Sequence, residues 1–346
     1  MKPFYELNQA GQTRRLQNLA ERALMEYPID SVNVKMIRNG HNAVFRVCAS
    51  KGENSSDNRD FALRICRPGY QTQAQICSEM IFLNAIRENT DLKVATPIQT
   101  KLVDWLAHVQ VEGVPEARNA TLFRWQNGRL LRRKPGKVSL ELLGAFLATL
   151  HNFAEDWATP IGFDRKQWDS AGMSGDSFGV NVEEARSVLP RELRDLIASV
   201  NERGRVMMNG LGEGREVFGM IHADLHLGNS LFQNGNMTAL DFDDCGWGYY
   251  LYDIAIPFSS ASFFHRQDYQ AMRGTILRGY RRVRSLSDEH LAWIETFVAL
   301  RHAAMMIWMM GNRHEIFVQE LITHRISQYA EAIEAFLKTG SRNIKK

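Results

Sequence analysis

The chain has 346 residues and a mass of 39.6 kDa, which is enough for two domains that each have a hydrophobic core. Hydrophobic residues make up 45% of the chain and the formal net charge is +3, a profile of soluble globular proteins that does not favour a nucleic-acid or membrane partner. The four cysteines form no C-x-x-C pair, the first residues contain no apolar signal-peptide segment, and the longest late apolar run is interrupted by Arg301 and His302. These features predict a reduced, cytoplasmic protein.

Residues 1–124 combine helix and strand patterns. A helical period covers residues 8–27, and three short runs rich in Val, Ile and Phe follow it: SVNVKMIRN, NAVFRVCAS and DFALRICRP. The polar segment KGENSSDNR at 51–59 is expected to join the second run to the third as a hairpin loop. A helix at about 72–89 and two further strands, WLAHVQVEG and NATLFRW, complete this part. The order predicts an α+β lobe with a five-stranded antiparallel sheet.

Residues 125–338 are expected to form a second, mostly helical lobe. A long helix contains SLELLGAFLATLHNFAEDW, and further helical patterns occupy about 182–209, 266–285, 288–311 and 315–338. One segment differs, because NSLFQ and MTALDF are typical of two short strands around the turn NGN. Residues 339–346 are expected to form a disordered tail.

Acidic and amide side chains are concentrated around this hairpin. Asp224 precedes it, Asn229 follows after four intervening residues, and Asp241 comes twelve residues later inside an apolar run. The spacing suits phosphoryl transfer, because Asp224 can accept the proton of an attacking hydroxyl while Asn229 and Asp241 offer oxygen atoms to one metal ion. Mg²⁺ prefers such ligands, and the phosphates of ATP complete its coordination shell. Since an unpaired buried carboxylate is costly, Asp241 needs a metal or buried hydrogen bonds.

Three motifs in order carry a resemblance to a known family. HADLHLGN, ALDFDD and LYDIA resemble the catalytic segments of the aminoglycoside phosphotransferase and choline kinase superfamily, and the resemblance covers about residues 15–330. It implies a bilobal, protein-kinase-like fold of the α+β class, with Asp224 as the catalytic base or hydroxyl-orienting residue and with Asn229 and Asp241 as metal ligands. It also implies that Asp253 is structural, capping a helix and holding the catalytic loop.

The same resemblance implies nucleotide contacts in the first lobe. Arg64 in DFALRIC stands where many relatives have a phosphate-binding lysine, and Glu79 is the matching helix acid, although the two could also form an ordinary surface ion pair. Arginine suits the position because its guanidinium binds phosphate through a fork of donors. The loop NGHN, with Gly40 and Asn42, is expected to cover the phosphates, and Leu122 is expected at the hinge that meets adenine.

Other polar residues near the motifs have less defined roles. His222 is expected to support the catalytic loop, and His151 is expected to be a core histidine. His226 is expected to be a loop residue, with substrate contact as the alternative. The roles of Asp243 and Asp244 stay open: Asp243 shares strand parity with the expected metal ligand two residues before it, so a metal or substrate contact and a solvated edge are both compatible.

The sequence therefore predicts a phosphotransferase that uses ATP and Mg²⁺ to phosphorylate a hydroxyl of a small molecule, such as a homoserine-, choline-, sugar- or aminoglycoside-like acceptor. Basic residues in the late helices favour a neutral or acidic acceptor over a polycation; they are Arg278, Arg281, Arg282, Arg284, His302 and Arg313. The alternatives are a Ser/Thr protein kinase of the bacterial stress-response type and a non-catalytic kinase-like nucleotide-binding protein. GTP is not distinguished from ATP, and the oligomeric state stays open.

Overall fold

A computed structural model describes residues 2–49, 60–130, 135–264 and 268–340. The predicted loop at 51–59 and residues 341–346 of the predicted tail lie outside these ranges, so both stay predictions. The chain divides into two compact units, and the second unit contains the segment from Ile221 to Asp244. Within the described ranges, no helix combines the length and the apolar character that crossing a membrane requires.

The first unit consists of Met1–Glu88, Val94–Asn127 and Ile161–Asp164. The elements up to residue 124 are α1 (Gln9–Leu24), β1 (Ser31–Asn39), β2 (Ala43–Ala49), β3 (Asp60–Ile65), α2 (Gln73–Asn89), β4 (Lys93–Val94, at the boundary of the units), β5 (Pro97–Ile98), β6 (Ala107–Val109) and β7 (Arg118–Arg124). The sheet of this unit has the order β1-β2-β3-β7-β5, β6 also pairs with β7, and these pairings are antiparallel.

The antiparallel sheet agrees with the prediction, but it has six strands rather than five. The additional strand, β5, consists of Pro97 and Ile98, which pair with Phe123 and Leu122 of β7. Two residues are too few to show the alternation by which a strand is recognised in a sequence. The strand therefore forms because the chain passes beside β7, and no local pattern predicts it.

The core of the first unit lies between α1 and the sheet. Leu19 and Ala23 lie on one face of α1 because four residues make about one helical turn, and both are fully buried. Phe45 and Val47 on β2 are also fully buried, since alternate residues of a strand point to the same side. Burying a leucine, phenylalanine or valine side chain contributes about 1.5–3 kcal/mol relative to leaving it exposed.

The second unit consists of Asn89–Lys93, Gly128–Pro160 and Arg165–Lys346. Its elements from residue 128 onward are β8 (Arg129–Leu130), α3 (Lys137–Asp156), β9 (Lys166–Trp168), α4 (Ser170–Met173), α5 (Val182–Ser187), α6 (Arg191–Leu211), β10 (Phe218–Ile221), β11 (Ser230–Gln233), β12 (Asn236–Ala239), β13 (Gly246–Tyr249), α7 (Tyr250–Phe264), α8 (Tyr269–Arg281), α9 (Asp288–Gly311) and α10 (Ile316–Thr339).

Two small sheets hold the central segment of the second unit. β11 and β12 form the predicted hairpin, in which Gln233 pairs with Asn236 and β8 pairs with β11 on the other side. The turn residues Asn234 and Gly235 have φ angles of 51° and 75°, which an Asn-Gly pair adopts readily in a tight hairpin. β10 and β13 are antiparallel neighbours, and β9 joins β13 in parallel.

The prediction of one helix over 182–209 was wrong, because this stretch forms two helices. α5 ends at Ser187 and α6 begins at Arg191, with Pro190 as an extended N-cap (φ −53°, ψ 151°). Proline has no N–H to continue a helix and disfavours helical conformation in the residue before it. Apolar residues recur at the helical period on both sides of the break, so this periodicity alone did not show that the helix is interrupted.

Helix packing in the second unit includes α3 against α8 and α9 against several other helices. A Cβ atom at Gly144 of α3 would overlap the carbonyl oxygen of Ile276, and one at Gly279 of α8 would overlap that of Glu141, so the two backbones are in direct contact. α9 packs against α6, α7 and α10 and is buried over most of its length, which is typical of a core helix.

Candidate active site

The loop between β10 and β11 is held by the carboxylate of Asp253 on α7. The backbone N–H groups of His222 and Ala223 donate to its two oxygens at 3.0 and 2.9 Å. Ala223 has a φ angle of 64°, a left-handed conformation that costs a residue with a Cβ about 1–2 kcal/mol. The two charge-assisted hydrogen bonds stabilise this conformation and fix the direction in which the chain enters Asp224. These contacts agree with the loop-holding role expected of Asp253.

His151 of α3 completes the support beneath the loop. Its Nε2 lies 3.2 Å from Asp253 Oδ2 and its Nδ1 lies 2.9 Å from the hydroxyl of Tyr280. Because a carboxylate only accepts, Nε2 carries the proton and Nδ1 accepts from the tyrosine. Burial lowers the pKa of His151, with Asp253 opposing the shift, so the ring stacked on Tyr250 is neutral. It is a satisfied core histidine, as expected.

His222 also supports the loop. The ring is fully buried, and its Nε2 donates to the carbonyl of Leu240 at 3.0 Å. The other nitrogen accepts from the backbone N–H of Asp224 at 3.3 Å, and the ring packs on Phe242 with 4.2 Å between centroids. With both nitrogens in backbone contacts, His222 ties the loop to the segment after β12.

Asp224 presents a carboxylate with a side chain that is 23% exposed. Its Oδ1 accepts from Arg301 Nη2 at 2.5 Å, and its Oδ2 accepts from Asn229 Nδ2 at 3.1 Å. His226 Nε2 lies 3.7 Å from the same Oδ2 atom. Removal from water raises the pKa of Asp224 to about 6; the charge of Arg301 opposes this shift, and those of Asp244 and Asp243 act in the same direction as burial.

Asn229 and Asp241 are brought to the same end of the hairpin. The carbonyl of Asn229 accepts the N–H of Leu240 at 2.9 Å, and Asp241 follows two residues after Ala239, the last paired position of β12. Because the amide nitrogen of Asn229 is bound to Asp224, its oxygen faces away from that carboxylate. The backbone of Asp241 is in the left-handed region (φ 65°, ψ 64°), where the chain turns away from the direction of β12.

The donor set at this end of the hairpin fits a hard cation. Asn229 and Asp241 offer one amide and one carboxylate, and Mg²⁺ is usually bound by one or two carboxylates together with substrate phosphates. In the described part of the chain, no three His, Cys, Asp or Glu side chains come together as a preformed metal cage. The two residues therefore fit a metal that nucleotide phosphates help to hold, and their roles stay predictions.

The segment after Asp241 does not continue as a strand. Phe242–Asp244 form a 3-10 turn, so the strand parity assumed for Asp243 is wrong. Arg165 Nε donates to the Cys245 carbonyl at 2.6 Å, and a second nitrogen donates to the Asp243 carbonyl at 2.6 Å. Lys166 Nζ binds Asp244 Oδ1 at 2.7 Å. Arg165 and Lys166, nearly 80 residues earlier in the chain, thus stabilise this turn. Neither residue was identified from the sequence.

Arg301 is the residue of the site that the sequence analysis missed. It was considered only as an interruption of an apolar run, yet it is 8% exposed and contacts Asp224 directly. Its Nη1 donates to the hydroxyl of Tyr252 at 3.2 Å. The available signal was an arginine inside a largely apolar run of the helix, because a buried arginine must have a buried acceptor.

In the first unit, Arg64 and Glu79 form a buried bidentate pair. The two guanidinium Nη atoms lie 2.9 and 2.7 Å from the two carboxylate oxygens, and Arg64 Nε donates to Thr121 Oγ1 at 3.2 Å. The residues are 6% and 1% exposed, which excludes the surface ion pair considered above. Such a pair fixes the guanidinium in one orientation, and its contact with phosphates stays a prediction.

Gly40, Asn42 and Leu122 were also predicted to contact the nucleotide. Gly40 and Asn42 lie in the three-residue turn between β1 and β2, where Asn42 Oδ1 accepts the backbone N–H of Arg67 at 3.0 Å. The prediction for Leu122 was wrong: its side chain is fully buried, and it is paired with Leu63 on one side and Ile98 on the other. Its backbone is therefore enclosed by two strands and cannot meet a base.

The basic residues of the late helices do not form a free positive surface. Most are paired with acids: Arg278 and Arg282 with Glu141, Arg281 with Asp288, Arg284 with Glu155, and Arg313 with Glu184. His302 is buried and packs on the ring of Tyr329. Because these charges are neutralised locally, the inference from them to a neutral or acidic acceptor no longer holds.

Comparisons with known proteins agree with this geometry. A family model described as a phosphotransferase enzyme family matches residues 39–290. The chain is similar to the amicoumacin kinase of Bacillus subtilis (strain 168), with 24% identity over 322 residues that cover 87% of this chain and 85% of the relative. It is also similar to the solved structure of the microcompartment-associated aminopropanol kinase, with a TM-score of 0.79 and 25% identity over 95% of this chain and 99% of that chain. An amicoumacin kinase solved with AMP-PNP, Ca²⁺ and Ami has a TM-score of 0.76 and 19% identity, covering 96% of this chain and 97% of that chain. The structural similarities confirm the predicted protein-kinase-like fold class.

Proposed function

The chain belongs to the phosphotransferase enzyme family, and on this basis we propose that it transfers the γ-phosphate of ATP to a hydroxyl group of a small molecule in the presence of Mg²⁺. One observation carries the proposal: the loop after β10 presents a partly exposed carboxylate, Asp224, whose neighbour Asn229 turns its amide oxygen away from it. Phosphoryl transfer needs little covalent chemistry from a protein, so positioning and charge neutralisation are the main contributions.

Asp224 orients the acceptor hydroxyl and accepts its proton at Oδ2. Oδ1 is bound to Arg301 at 2.5 Å, whereas Oδ2 receives the longer bond from Asn229 at 3.1 Å and retains a lone pair for a hydroxyl. Asp253 and His151 hold the loop from below, so the carboxylate is presented in one position. Holding the reacting groups in a fixed geometry is the largest contribution that such a loop makes.

The remaining residues are proposed to hold the nucleotide and the metal. Asn229 and Asp241 would bind Mg²⁺ through oxygen atoms, and Arg64, fixed by Glu79, would contact the phosphates. When bound, MgATP supplies the phosphoryl group and the positive charge that neutralises it. The similar solved structure of an amicoumacin kinase contains AMP-PNP and Ca²⁺, which supports a nucleotide and a divalent metal here. We propose Mg²⁺ because the donors are few and hard.

An amino alcohol is the acceptor class that we test first. One similar structure is named an aminopropanol kinase. The late-helix arginines Arg282 and Arg284 are paired with Glu141 and Glu155, so they do not disfavour an acceptor that carries an ammonium group.

The test is an ATP-consumption screen with a defined acceptor panel. The panel contains aminopropanol, homoserine, choline, simple sugars, aminoglycosides and amicoumacin, with a casein-type protein to test the protein-kinase alternative. We expect ADP release that depends on a small hydroxyl compound and on Mg²⁺, and that falls at least about 10²-fold in Asp224→Ala. The control Asp195→Ala changes an exposed carboxylate of α6 that pairs with Arg191 of the same helix.

Two results would contradict the proposal. Wild-type turnover by Asp224→Ala with the true acceptor would remove the assigned role of this carboxylate. Phosphate incorporation into casein without any turnover of small hydroxyl compounds would favour the protein-kinase alternative. A thermal shift with ATP and Mg²⁺ without acceptor-dependent ADP release from any compound of the panel would favour the non-catalytic alternative, because ligand binding raises the stability of the folded state whether or not transfer occurs.

A further inference from the structure

Arg301 is a charged residue in the centre of a core helix. Its neighbours in sequence, from Thr296 to Met310, are mostly buried, and the arginine itself is 8% exposed. Removing a guanidinium from water is costly unless acceptors replace the lost hydration. Arg301 has two such acceptors, Asp224 Oδ1 at 2.5 Å and the Tyr252 hydroxyl at 3.2 Å, and they belong to different elements.

The geometry of the pair differs from that of the bidentate Arg64–Glu79 pair. In that pair both side chains are almost fully buried, and the two guanidinium Nη atoms match the two carboxylate oxygens one to one. In the Arg301–Asp224 pair, the arginine side chain is 10% exposed and the carboxylate is 23% exposed. Only one carboxylate oxygen is bound to the arginine, and the other accepts the longer hydrogen bond from Asn229.

The two oxygens of Asp224 therefore have different surroundings. Oδ1 is bound by a rigid, buried donor that Tyr252 holds in turn. Oδ2 has the amide of Asn229 at 3.1 Å and the ring of His226 at 3.7 Å. A carboxylate with one oxygen fixed cannot rotate about its terminal bond without breaking the 2.5 Å contact, so the plane of the group is set from the core of the unit.

We propose that Arg301 is a positioning residue for the phosphotransfer reaction: from α9 it fixes the plane of the Asp224 carboxylate so that Oδ2 meets the acceptor hydroxyl. The inference rests on the proposed function of Asp224. Tyr252 acts indirectly, because its hydroxyl accepts a hydrogen bond from Arg301 and so orients the guanidinium. Arg301 contacts no substrate in this role, so it influences turnover through Asp224 and leaves nucleotide binding unchanged.

The experiment compares Arg301→Met, Arg301→Lys and Tyr252→Phe with wild type, using kcat and the KM values for ATP and acceptor. Misplacement of a reacting group by about 1 Å can lower turnover about 10²-fold, and we expect a kcat loss of this size for Arg301→Met with an unchanged KM for ATP. Arg301→Lys keeps a charged donor and should recover part of the loss, and Tyr252→Phe should lose less than Arg301→Met. Arg281→Met, on the exposed side of α8, is the matched control.

Two additional measurements separate positioning from a loss of folding. Guanidinium ions should partly restore kcat in Arg301→Ala, where the shortened side chain leaves room for them, and not in Asp224→Ala. In an Asp224→Asn background, Arg301→Met should add little further loss, because the arginine acts through the carboxylate. Full additivity in that background, or a kcat within about threefold of wild type for Arg301→Met, would overturn the proposal.

The failure of this inference is distinguishable from failure of the proposed function. A crystal structure of Arg301→Met in which the Asp224 carboxylate keeps its plane and position overturns the positioning role, whatever the acceptor. A displaced carboxylate supports the role even before an acceptor is identified. A wild-type protein that binds MgATP but transfers phosphate to no acceptor overturns the proposed function alone.

Discussion

Replacing Asp253 by alanine tests the support of the catalytic loop. The carboxylate accepts from the backbone N–H groups of His222 and Ala223 and from Nε2 of His151, and it is fully buried. Its removal leaves three buried donors without their acceptor, at about 1–3 kcal/mol for each unsatisfied group. The three losses sum to about 3–9 kcal/mol, and because the loop relaxes when the carboxylate is removed we expect Asp253→Ala to lower the free energy of unfolding by about 3–5 kcal/mol.

The same substitution should impair turnover beyond its effect on stability. Ala223 is held in a left-handed conformation by the contact with Asp253, so the loop that carries Asp224 relaxes when the contact is lost. We expect kcat to fall about 10²-fold at a temperature where the variant is still folded. Asp253→Asn keeps the shape and one acceptor oxygen, and it should lie between alanine and wild type in both properties.

Urea unfolding followed by tryptophan fluorescence measures the stability change, and the chain has seven tryptophans as probes. A loss of 3–5 kcal/mol corresponds to a melting temperature about 6–20 °C lower in a domain of this size. Asp195→Ala, at an exposed position of α6, should stay within about 0.5 kcal/mol of wild type. If Asp253→Ala lost less than about 1 kcal/mol, the loop would not depend on this carboxylate and the reasoning would be refuted.

Three further predictions follow from other parts of the structure. Gly144→Ala should be destabilising because its Cβ would overlap the backbone of α8, whereas Gly274→Ala, whose Cβ would make only an ordinary contact with the Arg278 side chain at 3.8 Å, should gain up to about 1 kcal/mol of helix propensity. Glu79→Ala should lower the free energy of unfolding by about 3–5 kcal/mol because it leaves Arg64 buried without its carboxylate. The His151 ring should make stability decrease as the pH falls below 6.5, by up to about 1.4 kcal/mol per pH unit, because burial lowers its pKa in the folded state and only the unfolded chain then takes up the proton.

Each of these predictions has a control and an excluding result. Equal effects of the two glycine substitutions in thermal unfolding would exclude the backbone contact. Asp60→Ala disrupts the more exposed pair with Arg46, and a loss as large as that of Glu79→Ala would show that burial does not decide the cost. His151→Gln should flatten the stability profile between pH 6.5 and 5, and an unchanged slope would assign the dependence to other groups.

The catalytic loop and the hairpin could be predicted because their information is local. Asp224, Asn229 and Asp241 lie within 18 residues of each other, and the turn between the strands has a specific sequence. Arg301 reaches Asp224 across 77 positions, so its role depends on how α9 packs and no local pattern shows it. Leu122 was misassigned for a related reason, since only the pairing of both neighbouring strands shows that its backbone is enclosed.

Ala223 and Asp241, on either side of the hairpin, are both in left-handed conformations that residues with a Cβ adopt at a cost of about 1–2 kcal/mol each. Opening of the loop releases this strain, so we expect it to require less free energy than unfolding of the surrounding helices. The amides of His222 and Ala223 are protected by a side chain rather than by a neighbouring strand. Their hydrogen–deuterium exchange rates would therefore report loop opening directly, and a ligand that orders the loop should slow them before any product is formed.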